Sequence, residues 1–222
     1  MLARAGHAPV IFEAMPSPAR KLLMAGKSGL NLTKDTTAAG VIAAIGCPPL
    51  REILVRCGPS EVMAWADGLG EPLFTGSSGR VFPRAMKASP LVRRWFARLT
   101  GAGAGLRTRW RWQGWEGDEL IFATPEGPRR VRAGATVLAL GGASWPQLGS
   151  TAEWVPWLDA AGVGVAPFRP ANMGFDVAWS PHFAHRFAGA PVKGVTLGAG
   201  AARVTGEFVI TRTGIEGSAV YA

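Results

Sequence analysis

Several groups of residues in this chain have types and spacings that suit chemistry. Glu13 closes a short apolar run, Ala8 to Phe12, which itself follows Met1 to Ala5 and Gly6. If that run is the second strand of a βαβ unit, an acid at its end accepts hydrogen bonds from a ribose; an ordinary exposed strand end looks the same. Gly141 and Gly142 follow six consecutive apolar residues, Ala135 to Leu140, with Ser144 close behind. Paired glycines after a buried strand let backbone approach a ligand, and they also make a plain tight turn. Met15 to Thr33 holds Pro16, Pro18, Gly26 and Gly29, a turn-rich stretch in which N–H groups can converge on an anion. His182 and His185 are spaced for one helix face, but no third metal ligand is identifiable, so a surface or packing role is expected. Ser144 and Ser150 lack the strand–nucleophile–helix setting of a hydrolase elbow and are not expected to act as nucleophiles.

The elements that must position these residues follow from pattern and punctuation. Met1 to Ala5 reads as the last turn of a helix closed by Gly6, and Ala8 to Phe12 as a short buried strand. Asp35 to Cys57 carries no readable pattern. Ser60 is expected to cap a helix running to Leu69 and closed by Gly70. A second helix is marked by Ser89 at the N-cap, Pro90 in the first turn and Gly101 after the end. Its apolar stripe is Leu91, Val92, Trp95, Phe96 and Leu99, with Arg93, Arg94 and Arg98 off it. Leu106 to Gln113 alternates strictly, placing Leu106, Thr108, Trp110 and Trp112 on one face and Arg107, Arg109, Arg111 and Gln113 on the other. Glu119 to Ala123 and Arg129 to Arg132 extend it into an antiparallel meander through Pro125, Gly127 and Pro128. Ala135 to Leu140 is expected to be a strand buried on both faces. A helix is expected over Val155 to Ala161, with Pro156 in its first turn and Gly162 after it. Beyond Pro170 the texture changes to short alternating runs, Val192 to Leu197 and Phe208 to Thr211, and a domain boundary is placed near Pro170.

Composition sets the class. The 222 residues are 48% hydrophobic and 18% charged, as in a globular domain, and 30 glycines with 17 prolines exclude a helical bundle. No charge-free stretch is long and uninterrupted enough to span a bilayer, and no secretory signal opens the chain. Only Cys47 and Cys57 are present, without a disulfide framework, so a soluble cytoplasmic protein is expected. The formal charge of +9 is concentrated in Arg80, Arg84, Lys87, Arg93, Arg94, Arg98, Arg107, Arg109 and Arg111, with no acid between Glu71 and Glu116. Such a field admits polyanions, nucleotide cofactors or acidic substrates as partners. With 19 arginines against 5 lysines, a compositional bias with a solvated surface is the stronger explanation of the run.

Taken together and in order, several stretches resemble the bacterial FAD-dependent flavoproteins related to aminoacetone oxidase, commonly described as NAD(P)/FAD-dependent oxidoreductases. They are Val10–Glu13, Arg20–Gly26 with Asn31–Thr33, Gly79–Pro83, Leu140–Pro146 with Gly149 and Ser150, Arg169–Ala171, and Gly206 and Glu207 with Thr211, Gly214 and Gly217. The resemblance implies an α/β fold: an incomplete FAD-binding Rossmann-like domain over residues 1–170, with an antiparallel meander, and the start of a smaller inserted, flavin-covering or substrate domain over 171–222. It implies FAD as cofactor, NAD(P)H as a candidate co-substrate and a small organic molecule as substrate. Glu13 takes the ribose role; Lys21, Gly26, Gly29, Asn31 and Thr33 form the second FAD loop; Gly141, Gly142 and Ser144 make the strand-end contact. Lys27 and Ser28 depart from the glycines of many relatives. Only twelve residues precede Glu13, so the first strand and its G-x-G-x-x-G loop are expected upstream of Met1, and a last FAD-binding segment beyond Ala222. The chain alone is then expected to be poorly soluble and colourless.

The expected function is flavin oxidoreduction, with the ring doing the chemistry and the protein supplying orientation and electrostatics. Two alternatives remain at this point. One is a basic nucleic-acid module using Trp95, Trp110 and Trp112 as stacking platforms, which the placement of Trp110 and Trp112 opposite the arginines disfavours. The other is an inactive remnant of a flavoprotein. No specific nucleic acid and no membrane is expected as a partner.

Overall fold

The computed structural model describes residues 2–26, 29–170 and 172–222. Met1, Lys27, Ser28 and Ala171, which figure in the sequence comparison above, lie outside the described residues. The chain is mixed α/β, with one parallel strand pair and three antiparallel sheets, and divides into two compact units, Met1–Val165 and Ala166–Ala222.

In the first unit, after a 3-10 turn at Leu2–Ala5, come β1 (Val10–Glu13), α1 (Arg20–Ala25), β2 (Thr33–Lys34), α2 (Ala38–Ile45), α3 (Arg51–Arg56), α4 (Pro59–Asp67), β3 (Leu73–Thr75) and β4 (Arg80–Pro83). Then follow α5 (Ala88–Gly101), β5 (Gly105–Thr108), β6 (Arg111–Glu116), β7 (Glu119–Thr124), β8 (Gly127–Arg132) and α6 (Val155–Ala160). β1 pairs in parallel with β5, Glu13 lying opposite Thr108. β2, β4 and β3 form one antiparallel sheet, and β6, β7 and β8 the expected meander.

α5 carries the apolar stripe read from its sequence: Leu91 and Val92 are buried, Trp95, Phe96 and Leu99 half-buried, Arg93 and Arg94 exposed. Its start differs from expectation, because Lys87 is the N-cap residue and Ser89 lies inside the first turn. α4 likewise begins at Pro59 rather than after Ser60; the Glu61 carboxylate reaches back to accept the Gly58 N–H at 2.8 Å. Leu91 and Ala88 pack with Leu30, Ala66 and Leu69 into one core, flanked by Leu22, Leu23 and Trp65. Glu71 is 2% exposed beside that core and is held by Arg94, Nη1 to Oε1 at 2.5 Å, while the same nitrogen donates to Gly70 O at 2.6 Å. Arg94→Ala therefore leaves a buried carboxylate without its cation. The expected loss is about 2–3 kcal/mol in unfolding free energy, because the cost of an orphaned charged group is moderated here by Arg94's own exposure. Urea denaturation of the variant measures it.

Two expectations about strands are corrected. Leu106 to Gln113 is not one strand: at Arg109 the backbone turns left-handed (φ 61°), the Arg109 N–H bonds Met15 O and the Trp110 N–H bonds Glu13 O. The chain thereby leaves the parallel pair as β5 and re-enters the meander as β6, although the inward face of Leu106, Thr108, Trp110 and Trp112 is as expected. Ala135 to Leu140 is not a buried strand. A run becomes a strand only by giving its N–H and C=O groups to a neighbour, and among the described residues no strand pairs with it. Val137 is 80% exposed, and only Leu140, at the end of the run, packs against a core. The unreadable stretch 35–57 holds α2 and α3.

The second unit contains β9 (Phe175–Asp176), α7 (Pro181–Phe187), β10 (Pro191–Ala199), β11 (Ala202–Ile210), β12 (Gly214–Glu216) and α8 (Ser218–Tyr221). Its sheet is antiparallel in the order β10–β11–β12–β9. Ser180 caps α7 by accepting the Phe183 N–H at 3.2 Å, and Trp179, Phe183 and Phe187 make tilted ring contacts in series along it.

Candidate functional site

Three segments converge in the first unit, two near its start and the third more than a hundred residues further along the chain. The end of β1 is fixed first: Glu13 Oε1 accepts the Met15 N–H at 2.8 Å, and the strand's exit is tied to residues 109 and 110 by the two backbone bonds described above. The second segment is α1, which replaces the turn expected there; its Lys21 Nζ donates to Ser144 Oγ at 2.6 Å across 123 residues. The third is the loop after Leu140. Ser150 Oγ donates to Gly142 O at 2.8 Å, Trp154 Nε1 donates to Gly141 O at 3.1 Å, and Trp145 and Ser150 form an isolated bridge. Met15 closes the triangle, lying so near Gly149 that a Cβ there would stand 2.8 Å from Met15 Cγ.

The remaining expected residues sit on a neighbouring element. Gly26 is buried against Ala88 at the start of α5, Gly29 approaches Met86, Asn31 is exposed, and Thr33 lies in β2 opposite Val81. Between α1 and α5 opens a cleft of about 620 Å³ whose lining includes Ser17, Arg20, Gly26, Lys87 and Leu148. Arg20 Nη1 donates to Ser17 Oγ at 3.4 Å, and its Nε is buried without a hydrogen-bond partner. Two cations and an unmet donor at one cleft suit an anionic group. Trp154 was not singled out by sequence reasoning, and Met15, Arg20 and Lys87 were read only as members of a turn-rich stretch, a family-like segment and a basic run; their particular roles come from tertiary contact.

Gly141 has φ 74°, a conformation costly for residues with a Cβ and most costly for branched ones. A Cβ there has room, Ser150 Oγ lying 3.7 Å away, so Gly141→Val acts through backbone strain rather than collision. It is expected to lower stability by about 1–3 kcal/mol and to displace the loop holding Ser144. Thermal unfolding and amide exchange at residues 141–150 report it.

The arginine run is partly consumed by the fold. Arg94 binds Glu71, Arg98 donates to Gly68 O, and Arg111 reaches Glu153 at 2.7 Å. Trp112 lies in the core with Leu120 and Phe122, and Trp110, half-buried, packs against it. His182 and His185 lie on α7, and no group of three or more His, Cys, Asp or Glu among the described residues is placed to hold a metal. No helix among them is long and apolar enough to cross a membrane.

A parallel strand pair with a helix start and a loop gathered beside its end fits a Rossmann-type domain, and that is the fold class the comparisons find. Residues 1–221 match the model of the HI0933-like protein Rossmann domain, and the chain belongs to that family, which is of FAD-binding, oxidoreductase-like type. Two solved structures are similar at low identity. One, from structural and functional studies of BexE and oxidation during BE-7585A biosynthesis, is 17% identical, covering 96% of this chain and 38% of that one, with a TM-score of 0.38. The other, AlpK, is 20% identical, covering 98% of this chain and 41% of that one, also with a TM-score of 0.38. The chain spans about two fifths of the length of each. No curated protein matches it.

Proposed function

We propose that this chain forms part of an FAD-dependent oxidoreductase, with the end of β1, the start of α1 and the Gly141–Ser150 loop as one wall of the cofactor site. The observation that carries the reading is the Lys21–Ser144 hydrogen bond, which joins two segments that the sequence resemblance implies contact FAD. The residues fit the group. Arg20 and Lys87 border the cleft beside α1, and Arg20 Nε still needs an acceptor, as a pyrophosphate would supply. Glu13 commits Oε1 to Met15, and its other carboxylate oxygen is the one offered to a ribose hydroxyl. When bound, the flavin supplies hydride or electron transfer. Ser144 is oriented by Lys21, while Gly142 and Gly141 have their carbonyls held by Ser150 and Trp154, so the loop is set before a ligand arrives. A small organic molecule and NAD(P)H are the substrates proposed for such an enzyme. The second unit is assigned, on the sequence resemblance, to its smaller substrate domain.

Glu13→Ala is expected to weaken FAD binding by about 1–3 kcal/mol, the scale for losing a buried hydrogen-bond partner. Isothermal titration of the polypeptide as its gene encodes it tests this, and equal affinities would remove Glu13 from the site. A salt titration with single-stranded DNA is expected to show only feeble association, whereas a steep slope would favour a nucleic-acid partner.

A further inference from the structure

The cleft between α1 and α5 has a wall that a pyrophosphate does not use. At about 620 Å³ it falls within the range of pockets that take a whole small molecule. Its lining is of two kinds: Leu23, Met24 and Leu148 are apolar, Arg20, Lys87 and Ser89 offer hydrogen-bond donors, and no acid lines it among the described residues. The donors are unsatisfied. Arg20 Nε is buried without a partner, its Nη1 reaches only Ser17 at 3.4 Å, and no ion pair among the described residues includes Arg20 or Lys87. α5 begins at the same place. Lys87 is its N-cap, no side chain caps it and its first turn holds no acid, so the leading N–H groups add their partial positive charge to that of the two side chains. Gly26 also lines the cleft, and a Cβ on it would stand 2.9 Å from Ala88 N and crowd that first turn. Each cation follows a costly backbone: Ala19 (φ 59°) precedes Arg20 and Met86 (φ 54°) precedes Lys87. Left-handed residues other than glycine persist where the surrounding structure demands them, and they cluster at ligand sites.

We propose that this cleft is a substrate subsite and that the substrate is a small organic acid. Its carboxylate or phosphate group lies against Lys87, Arg20 and the start of α5, and its apolar body against Leu23, Met24 and Leu148. A neutral compound leaves the cations unpaired, and an inorganic anion leaves the apolar wall in water. A pyrophosphate gives Arg20 an acceptor but has nothing to set against that wall. That the bound acid is oxidised or reduced rests on the flavin reading above; the binding site itself does not.

The probes are benzoate, phenyl phosphate, inorganic phosphate and neutral benzamide, each titrated into the isotope-labelled protein and followed by amide NMR. Benzoate or phenyl phosphate should move the Gly26, Ser89 and Leu148 signals saturably, and the tighter of the two identifies the anionic group. Inorganic phosphate and benzamide should each bind at least about tenfold more weakly, and Lys87→Met, which keeps the stem and removes the charge, should weaken benzoate by about tenfold or more. Repeating the benzoate titration with saturating FAD should leave its affinity unchanged. Benzamide binding as tightly as benzoate, a Lys87→Met protein that binds benzoate normally, or displacement of benzoate by FAD would overturn the proposal, the last by giving the cleft to the cofactor's pyrophosphate. A protein that binds benzoate in this cleft but not FAD would count against the flavin reading alone.

Discussion

Phe122→Ala is expected to lower the unfolding free energy by about 3–5 kcal/mol, the range for truncating a buried aromatic ring. Phe122 is 3% exposed and is the ring through which the meander holds the parallel pair: it stacks on Phe12 of β1 at 4.5 Å and meets Trp110 at 5.6 Å. Phe12 precedes Glu13, so the same truncation loosens the strand end that presents the acid. Urea denaturation should show the full loss, and amide exchange at Phe12 and Glu13 should rise with it. A stability change below about 1 kcal/mol would mean that the ring is replaceable and β1 is held elsewhere.

Gly26→Val is expected to cost about 3 kcal/mol, the upper end for overpacking. Gly26 is buried where a Cβ would stand 2.5 Å from Ala88 Cβ and 2.9 Å from Ala88 N. The second of these is backbone at the start of α5, and α5 cannot retreat without uncovering Leu91, which is fully buried. α1 must shift instead, taking Arg20 and Lys21 with it. Two signals should therefore move together: thermal stability falls, and the Lys21–Ser144 bond breaks, seen as faster exchange across the Gly141–Ser150 loop. An unfolding curve superimposable on that of the unsubstituted protein would contradict the close approach.

How far the fold was legible depends on whether an element's own side chains decide it. The stripe of α5 and the inward face from Leu106 to Trp112 were readable because burial selects side chains at a fixed period. The break at Arg109 was not, because its cause lies in hydrogen bonds to Glu13 and Met15, almost a hundred residues away. α1 is six residues between Ala19 and Gly26, too short for a period to show, so its sequence reads as turn. α2 is apolar almost throughout (AAGVIAAI), so it offers no contrast between faces. Ala135 to Leu140 misled for the opposite reason: six apolar residues signal a buried strand, but burial there depends on a neighbour that the run itself does not specify. The candidate site divides in the same way. Its glycines and Glu13 could be picked out in order along the chain, whereas the Lys21–Ser144 bond, the Trp154 contact with Gly141 and the unmet Arg20 donor exist only in three dimensions.

The most direct measurement is a titration with FAD of the polypeptide as its gene encodes it, followed by flavin fluorescence, for the unsubstituted protein beside Lys21→Ala and Ser144→Ala. Saturable one-to-one quenching is expected, with each substitution weakening affinity by about 1 kcal/mol and the double variant losing little more than either single one, because the two side chains act through one hydrogen bond. Quenching that never saturates, or affinities identical in all four proteins, would contradict the assignment of this wall to the flavin.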